Sequence, residues 1–91
     1  MPSLIGFAFT EAALEYLSKV PHKMRSQVIK KAEALQLNPH PQGAKKLQGV
    51  ETKDGERVYR ERSGDYRILY VVRENPNEVI ILDINHRKDV Y

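Results

Sequence analysis

Apolar positions along the chain change period from two to helical spacing and back to two, and each change marks an element. Ile5, Phe7 and Phe9 share one parity, so Ser3 to Phe9 reads as a first strand. Thr10 is a good helix N-cap, and Glu11 follows in the first turn, where the helix dipole favours an anion. Ala13, Leu14 and Leu17 then recur at helical spacing and stop near Val20-Pro21. Pro21 suits the opening of a second helix, because its missing N–H costs nothing there. Met24, Val28, Ala32 and Leu35 form an apolar stripe, while Lys23, Gln27, Lys30, Lys31 and Glu33 lie mostly off it. The pattern predicts an amphipathic helix to about Leu37, closed by Asn38-Pro39.

The segment from Asn38 to Lys46 carries Pro39, Pro41 and Gly43 and reads as a loop. After it the period returns to two. Arg57 to Arg62, Tyr66 to Arg73 and Glu78 to Ile84 are strand candidates rich in Tyr, Val and Ile. Ser63-Gly64-Asp65 and Glu74-Asn75-Pro76-Asn77 are connections of hairpin length, so these strands should form an antiparallel meander. Strand, helix, helix and then a run of strands is an α+β arrangement with the helix pair on one sheet face. The 91 residues make one domain spanning 1–91. In the middle strand, Tyr66, Ile68, Tyr70 and Val72 share one face and Leu69 and Val71 the other. The helices can cover only one face. The second is either a poorly alternating core set or a surface for a protein partner.

Composition narrows the chemistry. Fifteen Lys and Arg against 12 Asp and Glu give a net charge of +3, which fits either an ordinary solvated surface or a polyanion partner. The chain has no cysteine, so neither disulfides nor thiolate metal sites are expected, in keeping with a reducing cytoplasm. No signal peptide or membrane-spanning run is apparent, and a cytoplasmic protein away from membranes is expected. His22, His40 and His86 stand far apart without a zinc-like spacing, and there is no glycine-rich phosphate loop or GxSxG. No metal and no small-molecule cofactor is expected, which leaves Arg, Lys, His and Tyr to carry any reaction.

The first hairpin decides whether the basic residues meet. With Gly64-Asp65 as a two-residue loop, Gly in the first central position suits a type II′ turn. Ser63 then pairs with Tyr66, Arg62 with Arg67 and Arg60 with Leu69, and the arginines project from one face. Like charges opposite each other destabilise a sheet, so the patch reads as a seat for a polyanion or an acidic partner. The alternative is solvated arginines paired to Glu56, Glu61 or Asp65; a loop one residue longer would disperse them. The final run, Asn85-His86-Arg87-Lys88-Asp89-Val90-Tyr91, is either a polar tail or a chemically loaded one. Such an inventory suffices for RNA cleavage. RNA carries its own 2′-OH nucleophile, arginine binds phosphate bidentately, and tyrosine or histidine can move protons.

The run from Val58 to Tyr70, containing Arg60-Glu61-Arg62-Ser63-Gly64-Asp65-Tyr66-Arg67, resembles the central strand pair of the RelE/ParE toxin superfamily. The ending Asn85 to Tyr91 resembles that family's His-Arg pair followed by Val-Tyr, and Gly43-Ala44-Lys45-Lys46-Leu47 resembles its loop entering the second strand. The resemblance implies a RelE-like fold akin to small microbial ribonucleases. It also implies a toxin of a type II toxin–antitoxin system that cuts mRNA in the ribosomal A site, leaving a 2′,3′-cyclic phosphate and a 5′-OH. By position, Arg60 matches a basic residue acting on the phosphate or carrying a proton. Arg67 matches the arginine that stabilises the transition state, and Arg87 a second phosphate arginine. Tyr91 matches a tyrosine that stacks on the mRNA base, and His86 a position where some relatives carry an acid/base histidine. Lys45, Lys46 and Arg62 are expected to bind messenger or ribosomal RNA. Two departures stand out: Val58 replaces a lysine of some relatives, and the chain stops at Tyr91 where longer ones continue into a helix.

The implied partners are the ribosome, mRNA and an acidic, partly disordered antitoxin protein that covers or displaces the basic site. Two other readings stay open: a ParE-like inhibitor of DNA gyrase acting by protein binding, and a small RNA-binding module without catalysis.

Overall fold

The structure, a computed structural model, describes residues 6–74 and 77–88. In chain order its elements are β1 (Gly6–Phe9), α1 (Glu11–Lys19), α2 (His22–Leu37), β2 (Lys45–Glu51), β3 (Arg57–Ser63), β4 (Tyr66–Arg73) and β5 (Glu78–His86). The expected first strand is present from Gly6; its predicted start at Ser3 lies outside the described residues. Thr10 caps α1 as its sequence position suggests, its Oγ1 accepting from the Ala13 N–H at 3.2 Å. The same hydroxyl donates to the Leu82 carbonyl at 2.6 Å, so the cap also fastens the helix to β5. At the other end of α1, Arg25 Nη2 donates to the carbonyls of Ser18 (3.2 Å) and Val20 (2.9 Å), occupying acceptors that a helix end leaves open. Pro21 stands one position before the helix it opens, as its N-cap. Val28, Ala32 and Leu35 bury the expected stripe of α2, whereas Met24 is 43% exposed and lies beyond the core. No helix of the described residues is long and apolar enough to cross a membrane.

The sheet has five strands in the order β1-β5-β4-β3-β2. The predicted meander is its centre, with β3 on β4 and β4 on β5 antiparallel, while β1 joins the far side of β5 in parallel. Strand β2 departs from the sequence reading, which left Lys45–Glu51 without an element. It pairs with β3 at Lys45, Lys46 and Glu51 but loses register between the last two, and Gly49 turns the backbone to φ +71°. Lysines, a bulge and a glycine are common in an edge strand that must not recruit further strands, and they erase the alternation by which a strand is read.

The helices lie against one face of the sheet. Ala13, Leu17, Val28, Ala32 and Leu35 meet Ile68, Tyr70, Val79, Ile81 and Ile84 in a single core. Between β4 and β5 the register slips: Tyr70 faces Ile81, yet Leu69 faces Asp83, leaving Leu82 as an extra residue. This bulge lets Ile81 and Ile84 both reach the core, and it turns Asp83 and Asn85 to the opposite face beside Leu69 and Arg67. On that opposite face Val58 and Val71 are themselves buried. The second apolar face expected from β4 is therefore largely closed within the chain and is not a bare apolar surface awaiting a partner.

Two polar contacts hold the frame. Tyr70 is fully buried, and its hydroxyl donates to the Pro39 carbonyl at 2.8 Å, pinning the loop after α2 to the middle of the sheet. Burial pushes the Tyr70 phenol well above its ordinary pKa, with the Glu61 carboxylate and Tyr59 adding to the effect. Arg73, at the end of β4, grips both Glu56 carboxylate oxygens at 2.8 and 3.0 Å and reaches Glu78 at 3.3 Å. These hydrogen bonds hold the Glu56 carboxyl below its ordinary value.

Tyr70→Phe should lower unfolding free energy by about 1 kcal/mol, the usual net worth of such a bond, in urea denaturation at neutral pH. Glu56 has a depressed folded-state pKa, so its contribution is present above the ordinary carboxyl value of 4.5 and is lost as pH falls through the lowered one. Glu56→Gln should accordingly melt slightly earlier than wild type at pH 7, by a few degrees at most given its solvent exposure. The difference should vanish on acidification, and thermal scans from pH 7 to pH 3 would show a constant gap if the pair carried none of this dependence.

Candidate functional site

The site is built at the β3–β4 turn. Gly64 has φ +59°, in the left-handed region that a primed hairpin turn needs and that glycine adopts at little cost. The tight turn sets the pairs expected from the sequence: Ser63 with Tyr66, Arg62 with Arg67 and Arg60 with Leu69. Across the other edge of β4, Arg67 pairs with Asn85 and Tyr66 with His86, which brings the end of β5 to the same place. Beyond β5, the Arg87 N–H donates to the Asp65 carbonyl at 2.7 Å and ties the departing chain to the turn. Arg62, Gly64, Asp65, Tyr66, Arg67 and Arg87 line the resulting cleft of about 200 Å³.

The arginines of this cleft are held differently. Arg67 is half-buried; its Nη2 donates to the His86 carbonyl at 3.3 Å, and its Nε is buried without a hydrogen-bond partner among the described residues. A guanidinium fixed in this way presents its remaining donors in a set direction. Arg87 is exposed, with Nε 3.4 Å from Asp65 Oδ1. Arg62 is exposed and makes no ion pair among the described residues. The alternative raised from the sequence, salt bridges from Arg60, Arg62 and Arg67 to Glu56, Glu61 or Asp65, is not found among the described residues: Asp65 pairs with Arg87 and Glu56 with Arg73. Glu61 is only 5% exposed, and its Oε1 accepts from the Arg62 N–H at 2.8 Å without an ion pair to any arginine.

Arg60 and Lys45, paired across β2 and β3, line a neighbouring cleft of about 420 Å³ together with Lys31, Gly43, Glu61 and Arg62. Arg62 belongs to both clefts. Lys46 pairs with Tyr59, a position on the helix-side face, and lines neither cleft. His86 is likewise turned to the helix side. Its ring packs edge-on against Tyr66 at 5.1 Å, its Nδ1 accepts from the Lys88 N–H at 3.0 Å, and its Nε2 lies 4.0 Å from Asp65 Oδ2. Tyr91 lies outside the described residues. Sequence reasoning did not anticipate Lys31, which it treated as a helix-surface lysine, or Asp65 as the common neighbour of His86 and Arg87. The pairing of turn and tail had no linear signal; it arises from strand register.

Among the described residues no group of His, Asp or Glu is placed to hold a metal ion. What the arrangement offers is several guanidinium groups gathered on one face of a sheet, with Arg67 held by the His86 carbonyl, suited to phosphate or carboxylate. A small basic α+β domain, with helices on one sheet face and arginines at the β3–β4 turn and the end of β5, defines a class known from toxin proteins. The chain belongs to the family described as the ParE toxin of the type II toxin–antitoxin system parDE, whose sequence model matches residues 7–91.

Solved structures share the fold. A chain of the RelBE2 toxin–antitoxin complex of Mycobacterium tuberculosis is 27% identical, with a TM-score of 0.75 over 93% of this chain and 100% of that one. A chain of the intact E. coli RelBE complex is 25% identical, with a TM-score of 0.71 over 90% of this chain and 95% of that one. A chain of the RelE–RelB complex of Pyrococcus horikoshii, at 23% identity, has a TM-score of 0.77 over 97% of this chain and 100% of that one. No curated protein sequence matches the chain. The α+β fold and the membership of the RelE/ParE superfamily expected from the sequence both hold.

A methyl group added at the Cα of Gly64 would meet open space, so only backbone strain opposes a larger residue there. Gly64→Ala should cost about 1–2 kcal/mol in urea unfolding, and Gly64→Asn less, since asparagine tolerates this region. Equal stability of all three proteins would show that the turn does not depend on the left-handed residue.

Proposed function

We propose that this type II toxin is a metal-independent endoribonuclease that cleaves mRNA in the ribosomal A site and so stops translation. The observation that carries this reading is the gathering of Arg62, Arg67 and Arg87 around one cleft, with Arg67 held from beneath by a backbone carbonyl. Such a cleft suits a scissile phosphate. The substrate's 2′-OH attacks the adjacent phosphorus, the bond to the 5′-oxygen breaks, and the products are a 2′,3′-cyclic phosphate and a 5′-OH. Fixed guanidinium groups stabilise the charge that grows on the phosphorane oxygens and need little reorganisation when it forms. Arg67 and Arg87 take this role, and Arg62 steers the strand.

Tyr91 follows Arg87 closely in sequence and is proposed to stack on the base beside the cut and to assist proton transfer. Arg60, from the adjoining cleft, acts on the phosphate from the side. His86 is proposed as a proton carrier only if its ring leaves Tyr66; as placed, it supports the end of β5. Lys45 and Arg62 bind RNA backbone at the clefts, and Lys46, on the other face of the sheet, is proposed to bind RNA away from them. The reaction takes place in the cytoplasm, where ribosomes are.

Partner complexes of the structural relatives support an antitoxin for this chain too, since those relatives were solved as toxin–antitoxin complexes. An acidic segment would seat a carboxylate among the arginines, as Asp65 already does with Arg87. A second reading has one specific support: the matching family is described by ParE. On it, the same arginines would bind DNA gyrase without cutting RNA.

Purified protein added to mRNA-programmed ribosomes should produce breaks at A-site codons, and should cut the same RNA poorly in free solution. Arg67→Ala and Arg87→Ala should each fold and lose about 3–4 kcal/mol of transition-state stabilisation, on the order of 10²–10³ in rate. Intact mRNA together with inhibited supercoiling by gyrase would establish the second reading instead.

A further inference from the structure

The larger of the two basic clefts, between α2 and the open edge of β3, adds Lys31 to the Arg60, Arg62 and Lys45 already given to RNA, more cations than one scissile phosphate needs. Its cations come from three elements: Lys31 from α2, Lys45 from β2, and Arg60 and Arg62 from β3. None of these four makes an ion pair among the described residues. The one carboxylate lining the cleft is that of Glu61, and it serves the backbone. Beyond Lys45, β2 no longer pairs with β3, and the Arg62 N–H would otherwise lack a partner on that edge. Glu61 Oε1 accepts it at 2.8 Å. Gly43 leaves room for this carboxylate, since a Cβ there would come within 3.2 Å of Glu61 Oε1. Four unpaired cations against one engaged carboxylate leave the cleft strongly positive.

Two further features fix what it would hold. Arg62 lines this cleft and the arginine cleft alike, so the two are contiguous. Arg60 and Arg62 are alternate residues of β3, about 6–7 Å apart along the strand on one face. Cations set at that interval on a rigid strand match neighbouring charges of an extended polyanion. A volume of about 420 Å³, against about 200 Å³ for the arginine cleft, leaves room for a sugar with its phosphate.

From this arrangement we infer that the cleft is a second phosphate site. It holds the backbone phosphate next to the one in the arginine cleft, with Lys31 closing over it from the helix side. The inference rests on RNA being the ligand of the arginine cleft, but it concerns binding and not cleavage. Its test therefore uses RNA that cannot be cut. Fully 2′-O-methylated dinucleotides and trinucleotides, carrying one and two internucleotide phosphates, are titrated into the full chain and followed by NMR. Wild type should bind the two-phosphate fragment at least severalfold more tightly than the one-phosphate fragment. Lys31→Ala should lose most of that gain and Lys31→Arg should recover it. With a longer methylated strand, Lys31→Ala should reduce the slope of log affinity against log salt by about 0.7, the share of one phosphate contact on a single strand.

Equal gains in wild type and Lys31→Ala would overturn the site, whether or not ribosomes are cleaved. No gain from the second phosphate in wild type, with Lys31→Ala still weakening attachment to ribosomes, would assign the cleft to ribosomal RNA and also overturn the inference. A Lys31-dependent gain in a protein that leaves programmed ribosomes uncut would uphold the phosphate site while removing the nuclease reading.

Discussion

The register of β3 on β4 is the constraint on which the rest of the molecule depends. Side chains alternate across a strand, so a slip of one residue would turn one strand over and part the arginines: either Arg60 and Arg62 of β3 would enter the helix-side core, or Arg67 of β4 would enter it while Ile68 and Tyr70 were expelled. The burial of Ile68 and Tyr70 and the exposure of the arginines are two statements of one register. The apolar face supplies the energy that makes the slip prohibitive, and the tight turn at Gly64 supplies the geometry. Like charges opposite each other at Arg62 and Arg67 are then tolerated because the core on the reverse of the same strands holds them there.

Strand β4 carries both sides of this arrangement. One face meets the helices; the other bears Arg67 between Arg62 and Asn85. Its Tyr70 also reaches through the core to the Pro39 carbonyl. That bond sets where the chain leaves α2 and hence where Gly43 and Lys45 meet the edge of β3. The position of the larger basic cleft thus follows from a buried phenol on the opposite side of the sheet.

How much of this the sequence discloses depends on how local the cause is. The β3–β4 hairpin was legible because glycine in a two-residue loop fixes its own register, and the cap at Thr10 was legible for the same reason. Strand β2 was not, since its pairing is with β3 and its own residues are polar, bulged and at an edge. The bulge at Leu82 was not legible either, because an extra residue exists only relative to a partner strand. It bears directly on the site. Straight alternation from Val79 and Ile81 would carry His86 to the arginine face, and the extra residue sends it to the helix face against Tyr66. The convergence of Arg62 and Arg67 was foreseeable from the hairpin, and the arrival of Arg87 from the family resemblance. The meeting of Lys31 with Arg60 was not, because no spacing in the chain relates a helix surface to a strand edge.

The parallel pairing of β1 with β5 bears on how the protein comes into being. Phe7 and Phe9 have no strand neighbour until Val79 and Ile81 are in place, and the bond by which the Thr10 hydroxyl fastens α1 to β5 waits for the Leu82 carbonyl. Until β5 has joined the sheet, the helices and the first hairpin have an unsealed core and no Arg87 at the turn. Closure of contacts this distant in sequence is slow and comes late. The arginine cleft is therefore a late product of folding, complete only when the last strand of the sheet has docked.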